Sequence, residues 1–497
     1  MSKEAFRGGW QPNDASRGLA IFGFLWGMYA LLHLTFTYFR WFRLSGVEPV
    51  LGGAMYVAAL ALILRPGAVG RLAILAVCWV AYKGYLLPDI ANHELLTVLI
   101  NLTLLLAIGY RALRREAGGG LAAAVYADVA PLLRIELLLL YFYVVLHKLN
   151  GDFLNPSSSC GWSLYTQIAD DLTFLPRWSW LQWPMILGTL VIEAAIPVLL
   201  VWPRTRRAGL VLGVAFHMLL SLHSNLYIAS FTSMLLALYS LFMPPVALER
   251  LAIADRAQGT AWARQVMAAA AVVALILGGA GAAAFAAQGA PLDRTELIRT
   301  LHRHGPEAAR WLWFAWAVAC VLVAGSVLRS GWPRSVPTAA MLLRPRFTPA
   351  LIVPVIVFLN GLCPYVGLKT ESSFAMYSNL RTEGGRTNHL FMPVRFRLAD
   401  YQEQLATVVD SSDRHLKRLA ELGERLPLFE LYRRAYREKD PSFFVVFEYE
   451  GREHRMTAGG RTDLALSSTA GAGSWLARKL LHFRSVPPEG APCSCRH

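Results

Sequence analysis

Four groups of side chains able to move protons sit inside or beside apolar runs. Asn92-His93 open the run "NHELLTVLINLTLLL", and His147-Lys148 close "LLLLYFYVVLHK". Glu193 lies in the middle of "LVIEAAIPVLL", and His217 lies in "VAFHMLLSLHSN". An ionisable group inside a membrane span costs about 2.5–3.5 kcal/mol even on the milder insertion scales, so each is a candidate for function. Each also has a plainer explanation. Glu193 suits structural pairing with an arginine or hydroxyl, His217 a hydrogen-bonded place in a helix core, and Asn92 the N-cap of its own helix. Lys148 suits an anchor whose stem lies in lipid while the ammonium snorkels to the interface. Aromatic shielding, however, lowers the relative cost of a neutral amine, and a neutral amine is a base. Tyr141, seven residues before Lys148 on the same helix face, is the shielding candidate.

Other chemistries find little support. His217 and His223 are six residues apart rather than four, and no His-x-x-x-His or Cys-x-x-Cys pair backs a metal site. Cys493, Cys495 and His497 form only a weak metal-ligating set, and a disulfide among the six cysteines is possible but unforced. Phosphate loops and Gly-x-Ser-x-Gly are absent from the sequence.

The elements that must position these groups follow from composition. Of 497 residues, 55% are hydrophobic and only 16% charged, against roughly 25% charged in a soluble domain. The chain reads as a membrane protein. Met1 to Arg17 is polar, and the first apolar run, Gly18 to Phe39, exceeds the about 7–15 residues of a signal-peptide core. It is read as the first span. The net charge of +15 comes from arginines in short loops between apolar runs, so no nucleic-acid partner is needed.

Apolar runs fall at about 18–39, 49–64, 71–88, 93–110, 130–148, 183–202, 208–223, 226–245, 265–287, 310–328 and 347–366. They predict an all-α polytopic membrane protein of about 9–11 transmembrane helices, with a small α+β extracytoplasmic domain at the C-terminal end. The expected division is a cytoplasmic segment 1–17, a transmembrane domain 18–368, an extracytoplasmic domain 369–484 and a disordered tail 485–497. In the third of these, "FFVVFEYEG" alternates as a strand, Glu450-Gly451 turns, "REHRMTA" returns antiparallel, and Asp413 to Lys439 is helical with a break near Pro427. A cytoplasmic N-terminus places Arg65 and Arg71, Arg111 to Arg115, Arg204 to Arg207, Arg250 to Arg264, and Arg329 to Arg346 on the inner side. Asn92-His93, Lys148 and the His217 to His223 end then share the extracytoplasmic level. The Ala/Arg/Gly-rich usage points to the inner membrane of a bacterium.

At "YFYVVLHKLNGDFL" an aromatic pair, a short apolar stretch, a lysine followed by leucine, and Asp152-Phe153 come in order. This resembles the core of the vitamin K-dependent gamma-carboxylase family and its bacterial relatives, the HTTM (horizontally transferred transmembrane) proteins. Asn92-His93 resembles that family's "NH" element, Phe216-His217 with "SFTSMLLALYSLF" resembles its "FH...F" helix, and Glu193 stands where an acidic residue is common. "SFAMYSNLRTEGGRTNHLF", Ser373 to Phe391, resembles the segment leading out of the last span. The resemblance covers roughly residues 15–395 in order of elements.

The resemblance implies that Lys148 deprotonates a vitamin K or menaquinone-type hydroquinone. Its reaction with O2 to the epoxide supplies a base strong enough to remove a γ-proton from a glutamate, and the carbanion captures CO2. His93, Asn92 and His217 are expected to assist the oxygenation. Tyr141, His147, Glu193, Arg381, Glu383 and His389 are expected to bind or cap substrate, Arg381 to His389 also reading as a hydrogen-bonded linker. The expected partners are membrane lipids, a lipid-soluble quinone and a peptide or protein glutamate. Two departures bear on this. The tail from residue 369 is short beside the large lumenal region of the carboxylases, and Lys148 follows His147 where the family often has a second lysine. The competing reading is a non-catalytic scaffold, or a lipid-binding or transport protein, of the same fold; no inverted repeat supports a carrier.

Overall fold

The computed structural model describes residues 12–37, 46–114, 120–244, 337–393, 397–464 and 474–493, with Glu307, 309–322, 324–325, Trp332 and Cys495. Its helices, in chain order, are α1 (Pro12–Phe36), α2 (Glu48–Leu64), α3 (Val69–Leu86), α4 (Asn92–Leu113), α5 (Leu121–Lys148), α6 (Gly151–Leu154), α7 (Cys160–Asp171), α8 (Gln182–Val201), α9 (Arg206–Leu220) and α10 (Leu226–Ser240). Then come α11 (Ala309–Leu322), α12 (Ala339–Leu343) and α13 (Ile352–Leu362). The C-terminal part adds β1 (Leu405–Ser411), α14 (Arg414–Glu421), β2 (Arg425–Pro427), α15 (Leu428–Arg437), β3 (Phe444–Tyr449), β4 (Arg452–Thr457), β5 (Arg461–Thr462) and α16 (Trp475–Leu480).

Among the described residues, six helices are long and apolar enough to cross a bilayer: Pro12–Phe36, Val69–Leu86, Asn92–Leu113, Leu121–Lys148, Ser179–Val201 and Thr348–Val366. The chain is a mostly helical, multi-pass membrane protein with a small C-terminal sheet domain. Runs expected at 49–64, 208–223 and 226–245 form helices of 17, 15 and 15 residues. At 1.5 Å per residue these reach about 23–26 Å, less than the roughly 30 Å hydrocarbon core. The expected run 265–287 lies outside the described residues. Outward apolar side chains such as Leu187, Val191 and Val198 on α8 are 47%, 66% and 66% exposed, as a lipid-facing helix requires.

Two compact units make up the chain. The first comprises Met1–Tyr85, Thr97–Leu138 and Ala195–Pro354. In it α1 packs on α2 and α10, and a Cβ on Gly27 would lie 2.9 Å from Ile63 Cγ1, so glycine lets α1 and α2 close. Polar bonds join its helices: Trp26 Nε1 donates to Asn101 Oδ1 at 3.2 Å, Tyr29 Oη meets Thr97 Oγ1 at 2.9 Å, and Thr103 Oγ1 donates to Glu136 at 2.6 Å.

The second unit comprises Leu86–Leu96, Leu139–Ala194 and Val355–His497, so stretches expected in the transmembrane domain group with the tail. The reason is polar: Arg433 pairs with Asp89 at 3.0 Å, and Asn388 Nδ2 donates to Asp152 at 2.7 Å. Its antiparallel sheet has the order β2-β1-β3-β4-β5. Val445, Phe447 and Met456 pack on Leu416 and Leu419 of α14 and on Leu428 and Leu431 of α15. Asp413 caps α14 by accepting from Leu416 N at 2.9 Å. The break near Pro427 is β2, and the hairpin turns at Glu450 (φ 52°) and Gly451 (φ 73°) with Tyr449 opposite Arg452.

The expectation of a disordered tail is corrected over the residues described there. Val486 exchanges two backbone bonds with Arg425, at 2.7 and 2.8 Å, Cys493 N donates to Asp152 Oδ2 at 3.1 Å, and Cys495 is disulfide-bonded to Cys160. Sheet-edge pairing and a covalent bond supply the order that a Pro/Gly-rich composition lacks.

Candidate functional site

Lys148 is the last residue of α5, and the next turn of chain decides its surroundings. Asn150 caps α6, its Oδ1 accepting from Phe153 N at 2.8 Å while its Nδ2 donates to His147 O at 2.8 Å and Ser378 O at 2.6 Å. The chain therefore doubles back, and Phe153 comes to lie with its ring centre 5.9 Å from Lys148 Nζ. From α8, Glu193 presents both carboxylate oxygens to Nζ, at 2.8 and 2.7 Å. Lys148 is 3% exposed and Glu193 7%. The lysine is thus no anchor reaching for solvent, and among the described residues the acid pairs with neither an arginine nor a hydroxyl. The contact is a short, buried, charge-assisted hydrogen bond on both carboxylate oxygens.

Beside Lys148, His147 Nε2 donates to Gly361 O at 3.1 Å. Its ring lies 5.4 Å from Tyr143 and 5.5 Å from Tyr365. Glycine is required at 361, because a Cβ there would sit 2.2 Å from Tyr143 Cδ2. The hydroxyls of Tyr143 and Tyr365 are buried and have no hydrogen-bond partner among the described residues. Neither tyrosine stood out in the sequence, although Tyr143 precedes His147 by four residues and so shares its helix face.

The segment around Phe374 forms another wall. Asn92 does not cap its own helix: Phe374 N donates to Asn92 Oδ1 at 2.6 Å, and Glu94 accepts from Ala91 N at 2.8 Å instead. Ser372 Oγ donates to Ile90 O at 2.5 Å, and Asn360 Nδ2 donates to Ser372 O at 2.9 Å. Ser372, Phe374, Tyr377 and Asn379 take positive φ values of 52°, 66°, 50° and 54°. For non-glycine residues such conformations cost on the order of 1–3 kcal/mol each and persist where surrounding bonds impose them. Asn92 grips this segment at Phe374 and Asn150 grips it at Ser378, so the two anchor points lie within about 14 Å of chain. His93, next to Asn92, is buried as well.

The remaining expected residues divide. Tyr141 is buried on α5, but the ring set against Lys148 is that of Phe153. Glu383 is 1% exposed, accepts from Thr382 N at 2.8 Å and pairs with Arg484 at 3.1 Å. His389 is likewise occupied, Nε2 donating to Leu146 O at 2.9 Å while Nδ1 accepts from Met392 N at 3.1 Å. Burial lowers its pKa, with the Leu146 carbonyl opposing. Arg381 is half-buried and its backbone pairs with Asn388. His217 belongs to the first unit, where its Nδ1 lies 2.9 Å from Gly213 O and 3.3 Å from Tyr239 Oη, with Phe231 packed edge-on. Among the described residues no group of three or more His, Cys, Asp or Glu is arranged to hold a metal, and the Cys495 sulfur is committed to Cys160.

Residues 16–246 match the family model described as the HTTM domain. No curated protein and no solved structure matches the chain. The matched stretch runs from α1 to α10 and includes Asn92, His93, Lys148, Glu193 and His217, while Arg381, Glu383 and His389 lie beyond it. The chain is therefore a multi-pass membrane protein whose residues 16–246 are similar to the HTTM domain.

Proposed function

We propose that this protein is a membrane enzyme, similar to the vitamin K-dependent gamma-carboxylases, that oxygenates a reduced quinone with Lys148 as base. The observation that carries the reading is the buried Lys148–Glu193 contact beneath Phe153. Glu193 takes a proton from the ammonium, and the neutral amine so formed accepts one from an acidic hydroxyl presented to it. Phe153 keeps water from the amine, which matters where a strong base must not be quenched.

The buried hydroxyls of Tyr143 and Tyr365 fit the oxygens of a naphthoquinone-type ring, since each is a donor without an acceptor among the described residues. Asn92 and Asn150 hold the wall around Phe374 to Ser378 in place. When bound, the reduced quinone supplies the electrons for reaction with O2 to the epoxide. Coupling to glutamate carboxylation with CO2 is the further step, its acceptor a peptide or protein glutamate. The disulfide and the arginine distribution support a C-terminal domain on the oxidising, extracytoplasmic side of a bacterial inner membrane.

The test is to give purified protein reduced menaquinone or vitamin K with O2, with and without a glutamyl peptide and labelled bicarbonate. Epoxide that disappears in a folded Lys148→Ala variant is the expected result. Epoxide without label leaves oxygenation alone. A folded protein that forms no epoxide would be read as a scaffold, a lipid-binding protein or a transporter.

A further inference from the structure

The first unit holds a cavity of about 50 Å³ lined by Tyr126, Arg134, Arg344 and Arg346, with apolar walls that include Ala130 and Leu342. That is several times the about 10–15 Å³ one water needs. Arg134 is 4% exposed and fixed: Nε donates to Leu241 O at 2.9 Å and Nη1 to Leu342 O at 2.8 Å, the ends of α10 and α12. Among the described residues no carboxylate pairs with it. Arg206, 1% exposed, donates to Pro337 O at 2.8 Å, and Pro337 also lines the cavity. Asp128 acts on Arg346 and is also bonded to Arg111 at 2.7 and 2.8 Å. Arg344 and Arg346 are exposed. The cavity is thus a concave site with apolar walls, three arginines and no carboxylate in its lining, and Arg344 and Arg346 come from a stretch that the positive-inside rule assigns to the cytoplasmic boundary.

We propose that this cavity binds a phosphoryl group, presented by an anionic phospholipid headgroup or as free phosphate. Guanidinium groups match phosphate oxygens in geometry as well as charge, and basic pockets between transmembrane helices at the cytoplasmic side are suited to anionic headgroups. The apolar lining favours the lipid, whose glycerol and first methylenes lie against it, while Arg344 and Arg346 close on the phosphate from outside.

Full-length protein in detergent would be titrated with phosphatidylglycerol, phosphatidylcholine or inorganic phosphate, following melting temperature and lipid retention by native mass spectrometry. Phosphatidylglycerol is expected to raise the melting temperature and remain bound where phosphatidylcholine does neither. Arg344→Gln with Arg346→Gln should weaken this about fivefold for each charge removed, with melting in phosphatidylcholine unchanged. A separate readout needs no variant: phosphatidylglycerol should slow phenylglyoxal modification of Arg344. Inorganic phosphate giving the same protection alone would assign the site to free phosphate. Equal stabilisation of wild type and double variant, or no protection of Arg344 by either phosphate source, overturns the proposal.

Discussion

Lys148 and Glu193 hold each other in a place where neither can be lost alone without leaving its partner buried and uncompensated, which typically costs about 3–5 kcal/mol. Lys148→Ala and Glu193→Ala are each expected to lower the melting temperature, and the double variant to fall short of their sum by about 1–3 kcal/mol of coupling. Additive losses in that cycle would break the pair. Tyr143→Phe removes only a hydroxyl that has no acceptor among the described residues, so stability should hold or rise while quinone binding weakens, read from KM for the quinone. Legibility at this scale was uneven. Lys148 and Glu193 each stood out as charges in apolar runs, but they are 45 positions apart and nothing local to either says that they meet. Tyr143 stayed hidden because an aromatic in an apolar run looks like packing, and Phe153 stood out only as one end of a motif, not as the ring against Lys148. Glu383 and His389 stood out as polar, and each makes hydrogen bonds within the protein; exposed chemistry and buried hydrogen bonding use the same residue types.

On α15, Glu430 shows how an element is locked by charge. Burial pushes its carboxyl up, but His482, Arg433 and Arg434 outweigh that and hold its pKa at about 2 against an ordinary 4.5. Its stabilising share is complete above 4.5 and disappears as the pH falls toward 2, on the order of 3 kcal/mol in all. Glu371 opposes it: burial first, then Glu383 and Glu430, raise its pKa against His482 and Arg484, so its share is lost as the pH rises. Glu430→Gln should therefore flatten the acid fall in melting temperature, and an unchanged acid limb would contradict the assignment. Between α5 and α13, Gly361→Ala drives a methyl into the Tyr143 ring and should cost about 1–3 kcal/mol, measured as a lower melting temperature. Elements with local rules were readable: alternation gave β3, a turn pair gave the hairpin, and Pro427 marked the helix break. The caps at Asn150 and Ser159 were readable too and would have found α6 and α7. The order of 485–493 was not, because it comes from Arg425, Asp152 and Cys160, all remote in sequence.

Across the whole molecule, composition was enough to say membrane, and apolar runs located most helices. The grouping of 86–96 and 139–194 with the C-terminal part needed the contacts themselves. The disulfide is the covalent one of those contacts. Cys160→Ser should release the stretch from Ser485 to Cys493 and make it sensitive to limited proteolysis, with little change in the trypsin pattern of the sheet domain. Cys160 and Cys495 stand 335 positions apart and pack together with Phe153 and Ile186. The bed under Phe153 therefore cannot be finished while the ribosome is still making the helices around it; residues of the sheet domain and the stretch beyond must first be synthesised and brought back. Phe153 follows Lys148 by five residues, whereas Cys495, which packs against it, is added 335 residues after its partner Cys160.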